Sequence, residues 1–377
     1  MTVASVFWAK ETTTGAHERL LHLLRGLADR GHEVVLFTKA GFSFDADGLN
    51  TIELREGWIP SNKLDSLRAL LVSKKAVPED FADVDIVVCF GLGGAVPGIY
   101  LKHILHAPLL LGLRSYPIEN MRKKNRLLQS VYRLPVHAYL TVALAASDRV
   151  VLQIETQKEK VLENHSVPEE KVGVIRNNII GSLEEGTDSR GAKNLLFVGT
   201  INYRKGIDCL LEAFGHMEPS EDVHLHIAGT GPMKEWAESY VAENELQSSV
   251  TFHGYVENVR QMMRRSDLVV IPSRFDSFPN VGLEAMEVGT PFIISDLPDV
   301  RAAFGRAAEY VPPDNPPQLA ERLSALHQPE CYRSLRNRCL AHRSDFEFDW
   351  TGEFETELQF LAKKDDPVSS SKEGTVQ

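Results

Sequence analysis

The chain has 377 residues, of which 43% are hydrophobic and 25% charged, and its formal net charge is -11. That length exceeds one ordinary core, so two domains are expected, and the acidic balance excludes a general nucleic-acid binder because a polyanion would be repelled over most of the surface. Cys89, Cys209, Cys331 and Cys339 contain no CxxC pair, so neither a disulfide framework nor a zinc site is indicated and a reducing cytoplasm fits best; no apolar run approaches the roughly 20 residues of a membrane span.

In chain order, the apolar runs "TVASVFWA", "EVVLFTK", "DIVVCF", "LLLGL" and "RVVLQI" alternate with stretches of helical period and end near "KVGVIRNNI". That alternation predicts parallel strands joined by crossover helices. Between them, "CFGLGGAVPG" carries Gly91, Gly93 and Gly94. A dinucleotide fingerprint needs an acid about 20 residues further on, after a second strand, and none is suitably placed, so the run reads as a loop lining a cleft. Asp83 and Asp85 precede their strand instead of following it, and no obligatory metal or cofactor is expected. Further on, "NMRKKNRLLQSVYRL" places Arg122, Lys123, Lys124, Arg126 and Arg133 among Leu127, Leu128, Val131 and Leu134. Two readings stay open for this basic amphipathic segment: a face that rests on an anionic membrane surface near a lipid-linked acceptor, or a solvated basic face.

The stretch "GSLEEGTDSRGAKN", Gly181 to Asn194, is poor in apolar residues and reads as a linker. A second series follows: "LLFVGT", "HLHIAG", "VTFHGY", "LVVIPS" and "PFIISD". The expected fold class is α/β, with two Rossmann-like, doubly wound domains over residues 1–180 and 195–345 and a ligand in the cleft between them, at the carboxyl ends of the strands. Residues 363–377, polar and Pro/Ser-bearing, read as a flexible tail.

The second series holds the chemistry. After Gly199 and Thr200, Arg204 and Lys205 stand at a predicted helix start, where the dipole and backbone N–H groups favour an anion; a solvated turn explains the same pair. "GTGP" is a tight turn in which Gly229 and Gly231 flank Thr230 and Pro232 is well placed as the first helical residue, better read as a structural cap than as a phosphate loop. Tyr255 and Val256 follow the strand ending at Gly254, where a planar base could lie. The strand "LVVIP" leads to Asp276, then to Ser277, Phe278, Pro279 and Asn280, whose N–H with that of Val281 can face a ligand, and "GLEAME" opens a helix carrying Glu284. A carboxylate beside a phosphate is unfavourable, so Asp276 and Glu284 suit sugar hydroxyls, one on a ribose and one on a second sugar. A turn cap and an early helical acid would account for each singly.

Residues Leu195 to Pro291 resemble the nucleotide-sugar domain of the retaining GT-B glycosyltransferases of the family 4 type, the glycosyl transferases group 1. The resemblance rests on an acid, seven residues and a glutamate within "FDSFPNVGLEAMEVGTP", and it extends to "ETTTGAHERLLHLLRGLADRGHEVVLFT", to "VGVIRNNI" and to "FDWTGEFETELQFL". The last of these is similar to the family's C-terminal helix, over residues 346–362, that crosses back to the first domain. The resemblance implies Glu284 on the ribose hydroxyls, Asp276 on the donor sugar, Lys205 on the diphosphate, backbone N–H groups of Asn280 and Val281 on sugar or diphosphate, and Gly15 admitting the first loop to it. It also implies a retaining, front-face transfer from a nucleotide sugar to a hydroxyl acceptor in glycan, glycolipid or cell-surface polysaccharide assembly; the cysteine usage adds the expectation of the cytoplasm, and the membrane reading of the basic segment adds a lipid-linked acceptor at the inner face of the cell membrane. This chain departs from the family at Asp276, where Glu is usual, at Thr200, where Arg is frequent and Arg204 could substitute, and at Arg114 and Ser115, where a histidine is common. A nucleotide-sugar epimerase of the same fold, or a noncatalytic subunit that binds a partner transferase, are the alternatives.

Overall fold

Two all-parallel sheets organise the chain, which a computed structural model describes over residues 1–6, 15–39, 49–54, 83–116, 126–181, 191–217 and 223–364. The chain divides into two units, Met1–Arg176 with Asp349–Gln377, and Asn177–Phe348. The first contains β1 (Thr2–Val6), α1 (Gly15–Asp29), β2 (Glu33–Lys39), β3 (Asn50–Leu54), β4 (Ile86–Phe90), α2 (Gly91–Leu105), β5 (Leu109–Gly112), α3 (Arg126–Ala146), β6 (Arg149–Leu152), α4 (Glu155–Asn164) and β7 (Val172–Val174). Its seven strands lie in the order β3-β2-β1-β4-β5-β6-β7. Strands β1, β4 and β5 are almost wholly buried and Val-, Ile- or Leu-rich, as strands covered on both faces must be.

The helix α12 (Trp350–Lys364) belongs to this first unit although it ends the described chain. Trp350, Phe354, Leu358 and Leu361 recur at helical spacing and are all buried. Phe354 meets Phe90 at 5.6 Å, Arg149 pairs with Glu357, and Arg30 pairs with Asp349 and Glu355.

The second unit contains β8 (Asn194–Val198), a 3-10 turn (Tyr203–Lys205), α5 (Ile207–His216), β9 (His224–Ala228), α6 (Lys234–Glu243), β10 (Val250–Gly254), α7 (Val259–Arg265), β11 (Leu268–Ile271), α8 (Asn280–Glu287), β12 (Phe292–Ser295), α9 (Pro298–Phe304), β13 (Glu309–Val311), α10 (Pro316–Leu326) and α11 (Pro329–Ala341). Strand order β10-β9-β8-β11-β12-β13 reverses direction between β8 and β11. That reversal is the place where the loops of a doubly wound sheet diverge and open a crevice.

Three local expectations change. The glycine run after β4 is helix α2, not a loop: Gly94 and Gly98 are one turn apart, and a Cβ on Gly98 would stand 2.7 Å from Cys89 Sγ, so these glycines let the helix settle onto its own strand. Pro232 does not open a helix, because α6 starts at Lys234. The neighbouring Gly229 and Gly231 have positive φ and occupy space where any Cβ would collide with the carbonyls of Gly199 and Ile201, so this turn buttresses the loop after β8. Finally, the helix carrying Glu284 begins at Asn280, two residues before Gly282. Of the basic segment, Arg122, Lys123 and Lys124 lie outside the described residues, and Arg126 is the first residue of α3.

Candidate functional site

The loops leaving β8 and β11 meet at the switch point of the second sheet. After β8, Asn202 accepts a hydrogen bond from the Lys205 backbone N–H at 2.9 Å and so closes the 3-10 turn. Gly206 ends that turn with φ 71°, and a Cβ there would strike the Pro272 carbonyl, so a side chain is excluded on two counts. The turn therefore lies directly against the loop after β11. The Arg274 N–H donates to the Arg204 carbonyl at 2.9 Å, and Arg204 Nη1 donates to the Phe275 carbonyl at 3.3 Å.

Arg274 is the buried tie between these loops, with 8% of its side chain exposed. It donates to Asp208 at 2.6 and 3.1 Å, to Asp314 at 2.9 Å from Nε and again from Nη2, and to the Tyr203 carbonyl at 2.8 Å. Its guanidinium also lies 3.9 Å from the centre of the Tyr203 ring. Burial alone would favour loss of its proton, but the hydrogen bonds and charges of Asp208 and Asp314 win and raise its pKa. Sequence reasoning assigned this arginine no role.

Asp276 and Lys205 are brought into contact. Lys205 Nζ donates to Asp276 Oδ2 at 2.6 Å, Arg204 Nη1 stands 3.8 Å from the same oxygen, and Ser273 Oγ donates to it at 3.4 Å. Burial pushes the Asp276 carboxyl up, yet the Lys205 and Arg204 charges, the Lys205 hydrogen bond and the Ser277 backbone N–H outweigh it and hold the group below its usual range. It is a carboxylate at neutral pH. Asp276 thus sits among the cations expected for a phosphate, which the sequence alone had kept apart from it.

Helix α8 follows within four residues. Pro279 occupies its N-cap, so the N–H groups of Asn280 and Val281 begin the helix without an intrahelical acceptor. Asn177, 2% exposed, donates through Nδ2 to Asn280 Oδ1 at 2.8 Å and fixes that side chain. This contact joins Asn177, the first residue of the second unit, to the helix start, and no local pattern announces it. Glu284 lies one turn further on and is half-buried. The Phe278 ring is buried edge-on against Phe304 at 5.1 Å and 90°, so its side chain is committed to packing and Ser277 beside it is buried too. Gly199 and Thr200 start the β8 loop, with Gly199 close beside the Lys205 stem. Tyr255, 71% exposed, and Val256 follow β10, two strands away from β8. Gly15 begins α1 in the other unit.

Residues 192–328 match the family described as glycosyl transferases group 1, and residues 13–179 match glycosyltransferase family 4. An uncharacterised glycosyltransferase of Methanocaldococcus jannaschii is 28% identical over 321 residues, covering 79% of this chain and 81% of that protein. Among solved structures, sucrose-phosphate synthase of Thermosynechococcus elongatus superposes with a TM-score of 0.79 at 18% identity, over 96% of this chain and 99% of that one. The Anabaena protein HepE, solved with UDP and glucose, gives a TM-score of 0.74 at 15% identity, over 96% of this chain and 100% of that one.

Proposed function

Because the chain belongs to the glycosyl transferases group 1 and is a glycosyltransferase of GT-B architecture, we propose that it moves a sugar from a nucleoside diphosphate sugar to a hydroxyl acceptor, with retained anomeric configuration and without a metal. The observation that carries this reading is the meeting of Lys205, Arg204 and Asp276 at the sheet's switch point, four residues before the start of α8. Two cations and a helix N-terminus can stabilise the charge that grows on a departing diphosphate, and preorganised groups of this kind are often the largest catalytic term. Asp276 and Glu284 can accept hydrogen bonds from hydroxyls of the transferred sugar and the ribose. In a front-face route the acceptor oxygen bonds to the anomeric carbon as the diphosphate leaves, and its proton passes to a phosphate oxygen.

The acceptor is proposed to be a glycan or lipid-linked hydroxyl met at a membrane surface. Helix α3 supports this, since Leu134, the last residue of the basic segment, is 75% exposed, and Val142, about two turns further along the helix, is 60% exposed. Thermal-shift screening of nucleotide sugars, followed by transfer and donor hydrolysis by the wild type and Asp276→Ala, tests the donor reading. A donor that raises the unfolding midpoint and is turned over at least about 100-fold more slowly by Asp276→Ala is expected; equal behaviour of both proteins would turn the reading toward a noncatalytic binding role.

A further inference from the structure

The group best suited to a phosphate and the group best suited to a sugar hydroxyl are bound to each other. Lys205 and Asp276 lie 2.6 Å apart with 14% and 16% of their side chains exposed, so this is a largely desolvated pair rather than a surface contact. Arg204, at 3.8 Å, adds a second positive charge with 41% exposure. The three side chains leave one net positive charge.

A diphosphate diester brings one negative charge on each phosphate. With Asp276 on Lys205, the lysine is divided between the carboxylate and a phosphate, and two anions are held side by side; if Asp276 turns to a neutral hydroxyl of the sugar, the total charge is the same, but each phosphate faces a cation and the carboxylate stands further from the phosphates. Resting on the donor reading above, we propose that the Lys205–Asp276 ion pair is a partner-exchange latch, in which the diphosphate takes Lys205 only as the donor sugar takes Asp276.

The latch separates substrate from product. A nucleotide sugar supplies both replacements at once, an anion for the lysine and a hydroxyl for the carboxylate. The bare nucleoside diphosphate left after transfer supplies only the first. Asp276, with no sugar to hold, competes for Lys205 and weakens the grip on the product. The carboxylate therefore lowers affinity for the product selectively, by competition for one cation, in addition to orienting the sugar.

Titration calorimetry with UDP, GDP and ADP in parallel, on the wild type and on Asp276→Asn, Asp276→Ser and Asp276→Glu, tests this. The nucleoside diphosphate that binds the wild type should bind both neutral variants about tenfold more tightly, because Lys205 then lacks its competitor. Asp276→Glu, which keeps the charge, should retain wild-type affinity. The two neutral variants should also unfold at a lower temperature without ligand and gain more from it than the wild type, a readout available from small amounts of folded protein. Unchanged or weaker affinity in both neutral variants, for a diphosphate that the wild type binds, overturns the latch while leaving the donor reading intact. Binding of none of the three to the wild type overturns the donor reading and the latch with it.

Discussion

Arg274 shows how a residue that touches no proposed substrate can set the position of those that do. Its planar fork reaches the first turn of α5 through Asp208, the loop before α10 through Asp314, and the 3-10 turn through the Tyr203 carbonyl, which a lysine ammonium could not span in the same way. Replacement by methionine leaves Asp208 and Asp314 unpaired, though partly reached by solvent. We expect a loss of about 2 kcal/mol in urea unfolding, together with weaker nucleoside diphosphate binding, and a smaller loss of both for Arg274→Lys. Unchanged affinity in Arg274→Met would show that the turn holds itself. The site was only half readable at this scale. Lys205 and Asp276 could be picked out because each follows the end of a strand, where the fold directs ligands, but Arg274 acquires its meaning from partners 66 and 40 residues away. Asn177 is the same case, with Asn280 103 residues distant. Electrostatics alone suits Asp276 to a sugar hydroxyl and not to the cations; the folded chain sets it on Lys205, because a largely desolvated ammonium needs a counter-charge.

At the scale of elements, each apolar run read as a strand is one: β1, β2, β4, β5, β6, β8, β9, β10, β11 and β12. Strands buried on both faces announce themselves as continuous Val, Ile and Leu. The strands β3, "NTIEL", and β13, "EYV", carry no such run because they are short and polar edge strands, where one side needs no apolar cover, and β7, "VGV", is the short edge strand within "KVGVIRNNI", where the first series ends. Helix α2 was missed for a different reason, since glycines that usually break helices serve here as the contact with Cys89. Helix α3 bears on the acceptor. Its Leu140, Ala143 and Leu144 are buried, whereas Leu134, Ala138, Val142 and Ala145 are exposed at helical spacing, an apolar stripe continuing from the basic segment. The wild type is expected to sediment with phosphatidylglycerol-containing vesicles at physiological salt. Leu134→Glu with Val142→Glu should abolish this with little change in stability, because both positions are exposed. Failure of the wild type to sediment would remove the membrane proposal.

At the scale of the whole molecule, the described histidines predict a shared response of the two units to acid. Burial, reinforced by neighbouring positive or histidine side chains, lowers the pKa of His22 and His165 in the first unit and of His224 and His226 in the second. An unfolded chain binds protons at these positions more readily, so their stabilising contribution is complete above the ordinary value of 6.5 and is lost as pH falls through the lowered folded values. Asp276 continues the trend at lower pH, while Glu353, raised mainly by burial, opposes it as one group. Both units should therefore melt at lower temperature as pH falls from about 7.5 to about 5.5, and a flat or rising midpoint by fluorescence-detected unfolding would contradict the burial of these imidazoles. The path of the backbone adds a temporal consequence. Residues 177–348 are continuous within one unit, whereas the other is assembled from both ends of the chain, its Trp350, Phe354, Leu358 and Leu361 being among the last described residues to leave the ribosome. During synthesis the later-encoded unit can mature before the earlier one is sealed, and the nascent first sheet must wait, with the apolar site of helix α12 uncovered, until residues 350–361 have emerged.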